Sequence, residues 1–341
     1  MDRKGGDRPI ADIMRVPGPE KWQVLAEKGA PTFLLLDGGA VGGPASPARP
    51  DAEGAALAAS AEAIYKGLSH AERGAWPGGV ALALQMLADR SFFPPAAPPV
   101  GVRRDEGGTF RALAEGRYVR VVNFHATPRR AAGGFEEQIS RLAQSFAPVS
   151  HADLMGLVAR GEWPHDRPGV ILNFFDGFRD NHDVAAPILD RLGLIGWFFL
   201  VSGWVSSRPQ DQRAFADRHM MNLPYDESDL PENGRLALSP EEVWDLARRG
   251  HVIASHTQSH TTASPSFAPD LSPEALAREV AGSKQTLEGL AGKQVRAFAW
   301  REGTPLGAER RADEALANSG YELLFANHAV QLIPRPPAGA S

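Results

Sequence analysis

Val170-Ile171-Leu172-Asn173-Phe174-Phe175-Asp176-Gly177 is an apolar run that ends abruptly in Asp-Gly. A short run of apolar and aromatic residues bounded by a turn signal reads as a buried strand, and Asp-Gly reads as the turn that closes it. The carboxylate of Asp176 is thereby placed at the C-terminal end of a strand, where α/β sheets and barrels assemble their sites. Downstream the construction recurs: His251-Val252-Ile253-Ala254-Ser255 runs into His256-Thr257-Gln258-Ser259-His260. Two imidazoles four residues apart can face one ion, and the third ligand such a pair calls for is a hard oxygen. Each motif has a plainer reading when taken alone. The histidines can be solvated or hydrogen-bonded at a helix start, and Asp-Gly can be only a turn.

Around these motifs, from about Arg117 onward, short apolar runs alternate with helical ones, which is the pattern of an α/β layer or barrel. Strands are expected at Tyr118–Phe124, Val170–Phe175, Trp197–Val201, Val252–Ser255, Val295–Trp300 and Glu322–Ala326. Ser239-Pro240-Glu241-Glu242 supplies an N-cap, a proline at the first helical position and a capping-box glutamate, and Gly250 ends that helix. Ser272-Pro273-Glu274 repeats the start signal, and Glu309–Ser319 is a further helix ended by Gly320. Ser206–Leu238 is polar and long for a connection, and is expected to be a substrate-facing insertion.

Upstream the rhythm is lost. Apolar segments such as Thr32–Asp37 and Val80–Leu87 are separated by Pro/Gly/Ala-rich stretches, and Gly42–Pro50 and Pro94–Val100 have the composition of loops or linkers. Phe33–Gly43 reads as a strand running into a glycine-rich turn without phosphate-loop spacing. A boundary near 95–115 divides the chain into an N-terminal extension, 1–115, of no evident chemistry and a second unit, 116–341.

With 341 residues, 43% of them apolar, the chain can bury a sizeable core. Its 35 glycines and 28 prolines promise long loops but fall below the roughly 25–30% that marks a disordered chain. A formal charge of −5 and the lack of Lys/Arg runs argue against nucleic acid as a partner. No apolar run approaches the ~18–20 residues that span a bilayer, and the first residues lack the apolar core of a secretory signal. A cytoplasmic protein is therefore expected. With no cysteine in the chain, any metal must be held by histidine and carboxylate.

Several motifs in order resemble the polysaccharide deacetylase (NodB-homology, carbohydrate esterase) family over roughly Arg117 to Arg335. Asn173-Phe174-Phe175-Asp176-Gly177-Phe178-Arg179-Asp180-Asn181 is similar to the family's Thr-Phe-Asp-Asp-Gly motif followed, in one branch, by Tyr-Arg-Asp-Asn. Ser255–His260 is similar to Ser-His-Thr-x-x-His. Phe298-Ala299-Trp300-Arg301-Glu302-Gly303 stands where the family has Phe-Ala-Tyr-Pro-Tyr-Gly, and Phe124-His125 with the helix begun by Phe135 resembles its opening segment. The resemblance implies a distorted (β/α) barrel of about seven strands and a divalent ion, such as zinc, held by Asp176, His256 and His260. It also implies removal of N-acetyl groups from amino sugars, with the first aspartate of the motif as base.

That aspartate is Phe175 here, and a phenyl ring accepts no proton. General acid–base help is typically worth ~10²–10⁴-fold, so another group must replace it if the chain is an enzyme. Glu302 is one candidate, set against a plain ion pair with Arg301. His328 is another, by resemblance to a late histidine that acts as general acid, set against a loop histidine. His125 is a possible hydrogen-bonding neighbour. Asn173, Phe175, Trp197, Trp300 and Arg301 are the expected substrate lining, the tryptophans by stacking and Arg301 through its planar fork on a carboxylate or phosphate. Asp180 and Asp183 are expected at a helix N-terminus. The sequence thus supports a metal-dependent hydrolase of a C–N bond. The rivals are an inactive relative that binds a carbohydrate or protein, and other metal-dependent chemistry on the same fold.

Overall fold

A computed structural model describes residues 32–35, 118–225, 229–230, 233–326 and 329–333. Its strands are β1 (Thr32–Leu35), β2 (Tyr118–Phe124), β3 (Ala147–Pro148), β4 (Gly169–Asp176), β5 (Gly196–Leu200), β6 (Val252–Ser255), β7 (Ala297–Phe298), β8 (Leu323–Ala326) and β9 (Ala329–Leu332). They form one sheet in the order β1-β2-β4-β5-β6-β7-β8-β9, with β3 beside β4. From β2 to β8 all neighbours are parallel, and β1 and β9 add antiparallel to β2 and β8. The outer strands β1 and β9 approach each other, so the sheet curls into an incompletely closed α/β barrel. The barrel expected from the sequence is the fold of the chain.

Parallel strands buried on both faces need apolar residues at nearly every position, and their period of two sorts those residues into two layers. Val170, Leu172 and Phe174 of β4 and Phe198 and Leu200 of β5 face outward. There they meet α1 (Ala132–Ser145) through Phe135 and Ile139, α5 (Pro240–Arg248) through Val243 and Leu246, and α6 (Ser283–Ala291) through Leu287. Ile171, Trp197, Phe199, Ala254 and Phe325 fill the interior, joined by Leu154 and Leu157 of α2 (His151–Arg160). Further helices are α3 (Ala186–Arg191), α4 (Gln212–Arg218) and the last, α7 (Arg310–Asn318).

The helix signals act as expected. Ser239 Oγ accepts from the Glu242 amide at 3.3 Å while Glu242 Oε2 accepts from the Ser239 amide at 2.8 Å, so both orphan donors are satisfied at the start of α5. Ser272 caps Pro273–Leu276, which continues through a π-helical segment, Ala277–Gly282, into α6. The strand expected at Val295–Trp300 shrinks to Ala297–Phe298. Glu288 takes the Val295 amide before the strand; after it the Ala299 amide still donates to Ser255 O of β6 at 2.9 Å, and the Arg301 amide then turns away to Thr261 O. Thr32–Leu35 is a strand, as read, and it pairs with β2, so part of the 1–115 segment belongs to the sheet; the glycine-rich turn after it lies outside the described residues.

Candidate metal centre

Asp176, the last residue of β4, has a left-handed backbone (φ 74°), and Gly177 follows at φ 98°. This turn points the carboxylate into the barrel mouth. His256 follows β6, whose amide ladder continues one step as the His256 N–H donates to Leu200 O at 2.9 Å. The chain then turns through Thr257 (φ 70°) to His260 (φ 55°). Among the described residues, the non-glycine positive-φ positions are these three, Glu302, Met220 and Ala268. Non-glycine residues in that region are strained by about 1–3 kcal/mol each and gather where function over-determines them.

The histidine loop is held from three sides. Glu279, from the π-helical segment, accepts from the amides of Gln258 (3.1 Å) and Ser259 (2.9 Å) and from Ser259 Oγ (2.7 Å). Thr257 Oγ1 accepts from the Thr261 amide at 3.0 Å. The amides of Ser202 and Gly203 donate to Thr257 O and Gln258 O, and a Cβ on Gly203 would lie 2.5 Å from Gln258 O. Nothing in the sequence singles out Glu279. Its role depends on a π-helical turn, a device often found beside functional sites.

Asp176 Oδ1 stands 3.8 Å from His256 Nε2 and 3.5 Å from His260 Nε2. Each ring's Nδ1 is matched to a backbone carbonyl, Ala299 O at 2.8 Å for His256 and His219 O at 2.9 Å for His260. A carbonyl can only accept, so Nδ1 carries the proton and Nε2 turns its lone pair toward Asp176. Burial holds both histidines neutral, His256 well below the usual imidazole value and His260 below it too. Neutral imidazoles oriented through Nδ1, with one carboxylate, are the donor set and outer support that zinc-like ions take. Donors sharing one such ion lie about 3.3 Å apart, close to the spacing seen here. The residues present fit a divalent ion.

A second group, His182, Asp183 and Glu242, also lies within ligand spacing. Its carboxylates are already committed, Asp183 to Arg179 at 2.6 Å and Glu242 to Arg235 at 2.6 Å, so it is an ion-pair network.

Around the centre, Phe175 stacks on Phe199 (5.1 Å) and lies edge-on to His256 (5.0 Å), making an apolar wall where the base of the family motif would stand. His125, just beyond β2, brings Nε2 to 3.8 Å from Asp176 Oδ2 and is held below its usual value chiefly by burial. Arg301 and Glu302 border the same mouth. Arg301 lowers the proton affinity of both ligand histidines, and Glu302 raises that of His260. His328 lies outside the described residues.

Other lining expectations need correction. Trp197 is fully buried, with its indole N–H donating to Val149 O at 2.8 Å. Trp300 is packed edge-to-face on Phe298 in the outer layer. Asn173 is buried too and donates to Asn123 at 3.0 Å. None of the three presents a face to a substrate. Asp180 and Asp183 stand at the N-terminus of a helical segment, Asn181–Ala185, as expected, but Asp180 makes no capping hydrogen bond; buried, it accepts from the Thr127 amide at 2.8 Å, and desolvation pushes its carboxyl up to about 6.

Residues 163–324 match the sequence profile of the polysaccharide deacetylase family. The similarity is to a polysaccharide deacetylase domain. No curated protein matches the chain closely enough to count as a relative. Among solved structures, IcaB from Ammonifex degensii is similar at 21% identity, over 65% of this chain and 88% of that one, with a TM-score of 0.47. The Streptococcus pyogenes deacetylase PplD in complex with acetate is similar at 18% identity, over 62% and 84% of the two chains, with a TM-score of 0.45. A de-N-acetylase from Aggregatibacter actinomycetemcomitans is similar at 18%, over 62% and 90%, with a TM-score of 0.46. The matched stretch includes Asp176, His256 and His260, the residues that converge in the barrel mouth.

Proposed function

We propose that the protein is a metal-dependent amidohydrolase, most simply an N-deacetylase of an amino sugar, glycan precursor or related metabolite. The observation that carries this reading is the convergence of Asp176 Oδ1 with two Nε2 lone pairs whose rings are fixed through Nδ1. Asp176, His256 and His260 would hold the ion. A zinc-like ion bound there supplies Lewis acidity to an amide carbonyl and makes water acidic enough to attack it. The chain's own residues do the rest. Phe175 and Phe199 keep bulk water from the floor of the mouth. Glu302 is the carboxylate assigned to proton transfer at the His260 side, and His125 stands opposite, against Asp176 Oδ2.

Phe175 favours a second reading, in which the domain binds a carbohydrate or protein partner without turning it over. Metal analysis of the protein as purified, with Asp176→Ala and His256→Ala as controls, tests the centre. One divalent ion per chain, lost in both variants, is expected; an unmetallated wild type that takes up no added zinc would end the hydrolase reading and leave the binding one. Acetate release from a panel of N-acetyl sugars then separates them. In an active enzyme Glu302→Gln should cost ~10²–10⁴-fold, and in a silent one Phe175→Asp should create activity where none existed.

A further inference from the structure

Arg301 is only 16% exposed, yet it lacks the close carboxylate that comparably placed arginines have. Arg235, 18% exposed, takes both oxygens of Glu242 at 2.6 Å. For Arg301 the Glu302 carboxylate approaches only to 3.9 Å, the Met220 sulfur lies at 3.8 Å, and the Phe267 ring centroid is 5.9 Å from the guanidinium carbon. Its Nε is buried and has no hydrogen-bond acceptor among the described residues. Burying a cation without hydrogen-bonded compensation is costly, so a fold that keeps one there has a use for it.

The surroundings indicate that use. Arg301 lies close enough to the metal centre for its charge to be felt by both ligand histidines. Met220 and Phe267, flanking it, are 67% and 56% exposed and are two of the three large exposed hydrophobics among the described residues. All three come from turns with left-handed residues, at Met220 itself, at Ala268 after Phe267 and at Glu302 after Arg301. A planar cation between two apolar faces matches an anionic sugar: the fork takes a carboxylate or phosphate, and the side chains take the C–H face of the ring.

We propose that Arg301 reads a carboxylate or phosphate carried by the substrate close to its N-acyl group, with Met220 and Phe267 as the apolar rim. The substrate class is then an acidic N-acyl amino sugar. This rests on the deacetylase reading for the acyl group, but the anion site stands on its own geometry. Calorimetric titration of the metal-loaded protein tests it with N-acetylglucosamine, N-acetylglucosamine 1-phosphate and N-acetylmuramic acid, whose charged groups both neighbour the N-acyl carbon, and with inorganic phosphate and acetate as free anions. At least one charged sugar should bind ~10–100-fold more tightly than the neutral one, as expected for a charge-assisted pair. The better of the two charged sugars identifies phosphate or carboxylate as the group read. Arg301→Gln should erase the preference, and Arg301→Lys should restore only part of it, since a point charge cannot fork. Thermal melting of both variants controls for folding.

Equal affinity for neutral and charged sugars, no binding of either charged sugar, a preference that survives Arg301→Gln, or free anions binding as tightly as the sugars would each overturn the proposal. Because binding is read without turnover, tight charged-sugar binding with no acetate release would leave the anion site standing and remove the hydrolase. Turnover without charge preference would do the reverse.

Discussion

At the scale of single residues, position along a strand separates what lines the mouth from what lies beneath it. Asn173 stands three residues before Asp176, and Trp197 three before Leu200, so each is about 10 Å below the rim at the rise of a strand. Asp176, His256 and His260 were legible as candidates because they stand at or just beyond strand ends, which local composition shows. The depth of Asn173 and Trp197, and the outward face of Trp300, depend on register, which composition does not carry. Gly177 is the residue on which Asp176 most directly depends. A Cβ there would meet Val205 Cγ1 at 2.8 Å and Leu200 Cδ2 at 3.1 Å, at a φ of 98°. Gly177→Ala is therefore expected to destabilise the fold by about 1–3 kcal/mol and, by swinging the carboxylate, to cost metal affinity. Urea denaturation and zinc titration check the two effects. A variant that melts and binds zinc like the wild type would show that the turn relaxes at no cost.

Between elements, the contact that joins the loop after β4 to α5 is electrostatic. The loop continues into a π-helical segment, Asn181–Ala185, from which His182 reaches Asp245 (3.2 Å) and Glu242 (3.9 Å) on α5 as well as its neighbour Asp183 (3.3 Å). Arg179, Arg235, Arg248 and Arg249 pair with the same carboxylates. The capping box of α5 was readable because it is local; the network is not, since it joins residues 63 apart in sequence (His182 and Asp245). The hydrogen bond that His182 makes to the Asp183 carboxylate, more than any other partner, raises the His182 pKa above 6.5. For a histidine whose folded-state value is raised, the stabilisation is fully present below the unfolded value and is lost as pH rises through the folded one. Wild-type stability should thus decline from about pH 6 to pH 8 by less than ~1 kcal/mol on this account, as is usual for part-exposed pairs, and His182→Gln should flatten that slope. Denaturant unfolding at the two pH values measures it, and an unchanged slope in the variant would exclude His182 as its source.

Over the whole molecule, the division suggested by composition and the division made by hydrogen bonding differ. Proline-rich stretches near 95–115 mark a boundary along the chain, but β1 lies before it and pairs with β2 from Thr32↔Val121 to Leu35↔Tyr118. Antiparallel pairing across so long a separation leaves no local trace, whereas the parallel core announced itself through repeated apolar runs. The consequence is mechanical, because β2 carries His125 at its end and is bonded on its other side to β4, which carries Asp176. A chain begun at residue 116 would leave β2 as an uncovered edge, with Val119, Val121 and Val122 beside unpaired backbone groups. Such a truncation is expected to melt at lower temperature than the full chain and to associate, as read by light scattering during gel filtration. It should also bind zinc more weakly, because the strands that aim Asp176 and His125 lose their lateral support. A truncated chain that stays monomeric, with the full chain's melting temperature and zinc affinity, would mean that the barrel is complete without β1, and that the boundary drawn from composition is the physical one.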